Sequence, residues 1–239
     1  ALYDVVYGGN KFVAAGDGGT TVNSTNGTTW SSRIGIDIGN AFIMGVGYGN
    51  GIFVTTTSEG EIYTSSNGGT SWDNRTSGSS CSCRMRDVTY GNSIYVAVGN
   101  SGAILTSSDG TSWDNRTFDT PQAIYSITYG NSKFVTSGGG GVILTSSDGI
   151  TWTEGTVGSN PTLKAITYGN STFVAVGSDG KIFTSTDGST WISRTSGTAN
   201  SLQAVTYGNN LFVVGGTRST LLTSPDGVTW TPRTPGALD

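Results

Sequence analysis

Six copies of one unit dominate this chain. Tyr-Gly pairs recur at Tyr7, Tyr48, Tyr90, Tyr129, Tyr168 and Tyr207, and the six tryptophans, Trp30, Trp72, Trp113, Trp152, Trp191 and Trp230, follow at matching offsets. The tyrosines are 41 and 42 residues apart in the first two intervals and 39 apart in the last three. A repeat of this length is one supersecondary unit whose apolar faces need neighbours, so the repeat is the object to fold first. The copies run over about residues 2–41, 42–84, 85–123, 124–162, 163–201 and 202–239.

The cleanest copy, 163–201, reads LKAITYGNSTFVAVGSDGKIFTSTDGSTWISRTSGTANS. Its apolar residues alternate with polar ones or run in short β-branched stretches between glycine-rich turns, the pattern of strands and not of helices. Four strands are predicted: Leu163 to Tyr168, Phe173 to Val176, Ile182 to Ser185 and Thr190 to Thr195. A lone four-stranded meander exposes two apolar faces, and radial stacking of six covers them with only short edges left. The expected fold is all-β: a six-bladed β-propeller with four antiparallel strands per blade, in a single domain over 1–239. If blade and repeat are offset, the strand at residues 2–7 pairs with the last strand and latches the ring; if they coincide, packing alone joins first to last.

Each copy carries one special turn: SSDGTSW at Ser107 to Trp113, SSDGITW at Ser146 to Trp152, STDGSTW at Ser185 to Trp191 and SPDGVTW at Ser224 to Trp230. The first two copies depart from it, with Asn26 in STNGTTW and Asn67 in SSNGGTSW, the latter one glycine longer. The carboxylate or amide at Asn26, Asn67, Asp109, Asp148, Asp187 and Asp226 can accept backbone N–H bonds, and the following glycine tolerates positive φ. The pattern resembles the Asp-box, or BNR repeat. That resemblance implies a hairpin between third and fourth strands whose tryptophan packs into the blade core, a structural role. Arginine follows tryptophan by three positions at Arg33, Arg75, Arg116, Arg194 and Arg233, a strand residue whose head pairs locally.

Only 12% of residues are charged and the net charge is −4, so no positive field recruits nucleic acid. No apolar stretch is long enough for a membrane-inserted helix. The complete lack of histidine removes Ser-His and Cys-His pairs and ordinary histidine metal sites. Sialidase-like glycoside hydrolases share six blades and the turn. They need three converging arginines outside the repeat register, however, and here only Arg84, Arg86 and Arg218 qualify, while the Arg-Ile-Pro signature is missing. No catalytic residue, metal or cofactor is assigned, and the chain is read as a non-enzyme.

Two non-catalytic readings remain. The first is an extracellular interaction or assembly module. Its partner is another copy of itself, in an oligomer or polymer, or proteins and glycans of the cell surface. The second is a multivalent lectin, since the blades resemble those of tachylectin-like propellers; the turns after the second strands, holding Asp17, Glu59, Asn100, Asp179 and Arg218, would line its glycan sites. The assembly reading rests on two long connections: IGIDIGNAFIMG, with Ile34, Ile36, Ile38, Phe42 and Met44 as a candidate contact surface, and SGSSCSCRMR, with Cys81 and Cys83 as a candidate disulfide or intersubunit link. The five sequons, Asn23, Asn26, Asn74, Asn115 and Asn170, are candidate glycosylation sites in a secreted protein, Asn74 and Asn115 sharing one blade position. A start at Ala1 fits a mature secreted chain.

Overall fold

A computed structural model describes residues 1–32, 34–75, 83–158 and 160–234. Six four-stranded antiparallel sheets account for them, each built from four consecutive strands, which makes the protein a six-bladed β-propeller. Blade and repeat therefore coincide. The strand Leu2–Gly8 pairs with Lys11–Gly16, and Thr231–Arg233 pairs with Leu221–Ser224, so the strand-exchange latch is not used. The only helical elements among the described residues are three single 3-10 turns.

Blade five shows how the sequence produces the sheet. Its strands are Leu163–Gly169, Thr172–Gly177, Ile182–Ser185 and Ile192–Arg194. Asn170 and Ser171 both take positive φ (44° and 56°), which gives a two-residue hairpin turn whose twist matches the strands. Register slips by one residue between Leu163 and Ala165, a bulge repeated in the first strands of the other blades described by this pairing. The fourth strand starts two residues later than the sequence pattern predicts, because the Ser185–Trp191 turn holds those residues in its own hydrogen bonds.

Two compact units are described, Ala1–Ala123 with blades one to three and Ile124–Asp239 with blades four to six. Within each, blades join by the same device. The ring of each blade's Tyr-Gly tyrosine lies over the glycine of the blade before: Tyr48 over Gly8 and Tyr90 over Gly49 in the first unit, Tyr168 over Gly130 and Tyr207 over Gly169 in the second. A Cβ on any of these four glycines would stand 2.0–2.1 Å from a ring carbon, so only glycine fits. The tyrosine also stacks on its own blade's phenylalanine, as Tyr168 does on Phe173 at 4.6 Å. Around this lock lie fully apolar clusters, for example Val135, Ile143, Leu163, Ile166, Phe173 and Phe183.

Blade three has Tyr95 where the other blades have phenylalanine. Its buried hydroxyl donates to the Gly49 carbonyl of blade two, a polar tie through an apolar interface. Desolvation is the main reason that phenol is held well above its usual ionisation range.

Candidate functional site

The special turns come first, because they hold most of the perturbed carboxylates. In blade five, Ser185 Oγ accepts from Gly188 N (2.8 Å) and donates to Asp187 Oδ1 (2.9 Å). Asp187 Oδ1 accepts from the backbone of Ser189 and Thr190 at 2.8 Å each, and Trp191 Nε1 donates to the Gly188 carbonyl at 3.1 Å. Asn26 does the same work for Thr28 and Thr29, and Asn67 for Thr70 and Ser71. The tryptophans are mostly half-buried flanks of the core: Trp230 is 8% exposed and Trp30 is 38% exposed.

Backbone donors explain the acidity of the four aspartates. Bonds from Ser112, Thr151, Thr190 and Thr229 are the largest cause for Asp109, Asp148, Asp187 and Asp226, and they depress all four, Asp148 to about 2. A depressed carboxylate stabilises the fold above the unfolded value of 3.8 and loses that contribution as pH falls through its folded value. Melting temperature should therefore drop from pH 4 towards pH 2. Asn26 and Asn67 show that an amide builds the same turn, so the fourfold Asp→Asn variant should keep the fold and flatten this part of the profile in pH-dependent thermal melts.

The arginines act locally, as the sequence suggests. Arg75, Arg194 and Arg233 donate from Nε to Thr64, Thr184 and Thr223 of the neighbouring third strand at 3.1, 2.9 and 2.8 Å. Arg75 and Arg116 also pair with Asp73 and Asp114. Arg33 lies outside the described residues.

Asp4 is different. It sits on the first strand of blade one, accepts from Val46 N and Val5 N at 2.8 Å each, and is pushed up to about 7 by burial first and the Asp87 charge second. A raised carboxylate costs stability as pH rises from the unfolded value of 3.8 through the folded one. Asp4 still meets some solvent, which discounts the effect. Asp87→Asn should lower the Asp4 value and reduce the loss of stability between pH 5 and pH 8, as read by the Asp4 carboxyl NMR shift and by melts.

The proposed glycan positions do not present free groups as a set. Asp17 binds the N-terminal ammonium, which lowers its pKa, and Asn100 Oδ1 accepts from Arg86 Nε at 2.8 Å. Glu59 has a long contact with Ser58, while Asp179 and Arg218 occupy left-handed turn positions. Of the candidate contact surface, Ile36 is buried (7%) and Ile38 packs against the same core; Ile34 and Met44 are half-buried, and Phe42 alone is open, edge-on to Tyr3. Cys83 is disulfide-bonded, and Cys81 lies outside the described residues. Among the sequons, Asn23 Nδ2 is buried, Asn74 donates to Tyr63 and Asn170 to Pro225, Asn26 is tied into its turn, and Asn115 is exposed.

What the sequence reading missed is a groove of about 450 Å³ beside the long turn of blade two. Ile34, Gly35 and Ile36 of blade one form one wall with Asp37, and Tyr63, Trp72 and Asn74 of blade two form the other. The extra glycine moves the Ser65 bond to Gly69 N and leaves Trp72 Nε1 buried without an acceptor, whereas the equivalent indoles donate to Gly27, Gly110, Gly149, Gly188 and Gly227. The Tyr63 phenol is raised by burial first and then by the Glu61 charge, with a smaller push from Asp37, the exposed carboxylate that lines the groove. The signal in the sequence is the extra glycine of SSNGGTSW, the one copy of the turn that is a residue longer. Among the described residues no group of three or more His, Cys, Asp or Glu side chains could hold a metal.

A family model for the DUF6242 beta propeller domain matches residues 82–199 and 119–231. Among the curated proteins no relative matches. Solved structures are similar in fold. One described as "YCF48 bound to D1 peptide" shares 18% identity at a TM-score of 0.77, covering 97% of this chain and 80% of that one. YCF48 from Cyanidioschyzon merolae shares 16% at 0.74 over 97% and 84%. The computationally designed Ika8 protein shares 13% at 0.62 over 95% and 84%.

Proposed function

The chain belongs to the DUF6242 beta propeller domain family, and from that premise we propose that it is a non-catalytic interaction module which takes a basic peptide segment in the groove between blades one and two. The groove itself carries this reading. The half-buried Trp72 indole, with Ile34 and Ile36, supplies an apolar wall for an extended chain, and the exposed Asp37 beside it selects a Lys or Arg side chain. A peptide bound to the similar YCF48 propeller supports a protein partner over a sugar. The turn aspartates are engaged by backbone, which argues against acid–base chemistry there. The disulfide at Cys83 supports an extracellular or cell-surface location, where Asn115 is the best-placed sequon.

Asp37 is exposed, so its replacement leaves the core alone. Fluorescence anisotropy with labelled Gly-Ser peptides bearing Lys and Arg should show salt-sensitive binding, weakened at least tenfold, about 1.4 kcal/mol, by Asp37→Lys. Equal binding of acidic and basic peptides, or binding by neither, would sink the proposal.

A further inference from the structure

The first two strands of each blade meet at a two-residue turn whose residues both take positive φ: Gly9-Asn10, Asn50-Gly51, Asn92-Ser93, Asn131-Ser132, Asn170-Ser171 and Asn209-Asn210. Blade two alone places glycine after asparagine there. That pair carries a reaction of its own. The backbone nitrogen after an asparagine can attack the side-chain Cγ, and a glycine in that place leaves the approach unhindered and the backbone free to turn. Asn-Gly occurs three times in the chain, at Asn26, Asn50 and Asn67, and the fold treats the three differently.

Two of them are held away from reaction. Asn26 Oδ1 accepts from Ser24 Oγ and from the backbone of Thr28 and Thr29, at 3.2, 2.9 and 2.8 Å, and the attacking nitrogen, Gly27 N, donates to Ser24 Oγ at 2.9 Å. Asn67 Oδ1 accepts from Ser65 Oγ, Thr70 N and Ser71 N, and its Nδ2 donates to Ser71 Oγ at 2.8 Å. A Cβ on Gly68 would stand 2.6 Å from Lys11 Cδ, so that peptide is hemmed in as well. Neither amide can swing its Cγ onto the next nitrogen without dismantling its turn. Asn50 has no such restraint. Both it and Gly51 are exposed, and nothing lies within 4 Å of a Cβ placed on Gly51. Among the described residues the Asn50 side chain has no hydrogen-bond partner, whereas the hairpin amides of blades four and five are tied, Asn131 to the Thr186 carbonyl at 3.2 Å and Asn170 to the Pro225 carbonyl at 3.3 Å.

We propose that Asn50 is the site at which the folded chain deamidates. Gly51 N bonds to Asn50 Cγ, the Cγ–Nδ2 bond breaks, and ammonia departs with the proton that Gly51 N held, which closes a succinimide ring. Water then opens the ring. Addition at Cγ restores the main chain and leaves a side-chain carboxylate; addition at the Asn50 backbone carbonyl leaves the chain running through Cγ, an isoaspartyl link. The net change is water for ammonia, with no oxidant, reductant or cofactor. An isoaspartyl link adds a methylene to a turn of two residues, so Gly49 and Ile52 lose the pairing they now make and blade two loosens at that end. The peptide groove takes no part.

The test is peptide mass spectrometry of the native chain after incubation at mildly alkaline pH. The Asn50 peptide should show the water-for-ammonia mass change and split chromatographically into two products, while the Asn26 and Asn67 peptides stay intact. In concentrated urea, where the turns are gone, all three should react at similar rates. Gly51→Ser places in open space the residue that follows the hairpin asparagine in blades three to five. It narrows the backbone and should slow the reaction roughly tenfold or more with little change in melting temperature. Native Asn26 or Asn67 reacting as fast as Asn50, or a Gly51→Ser chain that deamidates like the native one, overturns the proposal. The separated isoaspartyl form should melt below the unmodified chain; equal melting would overturn the loosening of blade two.

Discussion

Gly169→Val is expected to destabilise the protein by about 3 kcal/mol, lowering the melting temperature by roughly 10 °C at the 2–4 °C per kcal/mol typical of this chain length. The new Cβ would stand 2.1 Å from Cγ of Tyr207, a side chain already stacked on Phe212 at 4.5 Å. Tyr207 must leave its seat, and the interface between blades five and six loses its lock. The internal control is Gly155→Val on the last strand of blade four, where the nearest atoms to a new Cβ are backbone oxygens at 3.7 and 3.8 Å, so the melt should shift far less. Equal effects at the two positions would show that loss of glycine itself sets the cost, and the lock would cease to explain the recurrent Tyr-Gly pair.

Phe173→Ala should cost more, about 3–5 kcal/mol, because it removes a large ring from a site that cannot collapse onto the gap. Phe173 is 0% exposed, stacks on Tyr168 and sits among Val135, Ile143, Leu163 and Ile166. Ile192→Ala on the last strand of the same blade, 53% exposed, should shift stability by no more than about 0.5 kcal/mol. Urea unfolding of the two variants gives the comparison directly. Parity between them would mean that burial in the blade core does not set the cost.

How far these features were legible in the sequence depends on the range of the interaction behind them. Ile182 to Ser185 is predicted and found with the same ends, because β-branched and aromatic residues lie between two local turn signals. The last strand is predicted from Thr190 but runs Ile192–Arg194, since the Asp187 side chain captures the backbone of Thr190. Every Tyr-Gly pair can be read off, but that the ring seats on the glycine of the preceding repeat is a fact of packing between sheets. The groove follows from one inserted glycine, Gly68 or Gly69, whose effect on Trp72 is a displaced hydrogen bond with no mark in composition. Asp4 looks like an ordinary strand-edge carboxylate until Val46 and Asp87 arrive from other blades.

The lock is directional: within each unit the socket always precedes its plug along the chain. On a ribosome, which releases the N-terminal part first, a finished sheet displays an empty glycine seat before the next tyrosine emerges. Each nascent blade thus meets a template already in place, and its greasy side is sheltered as soon as it is made.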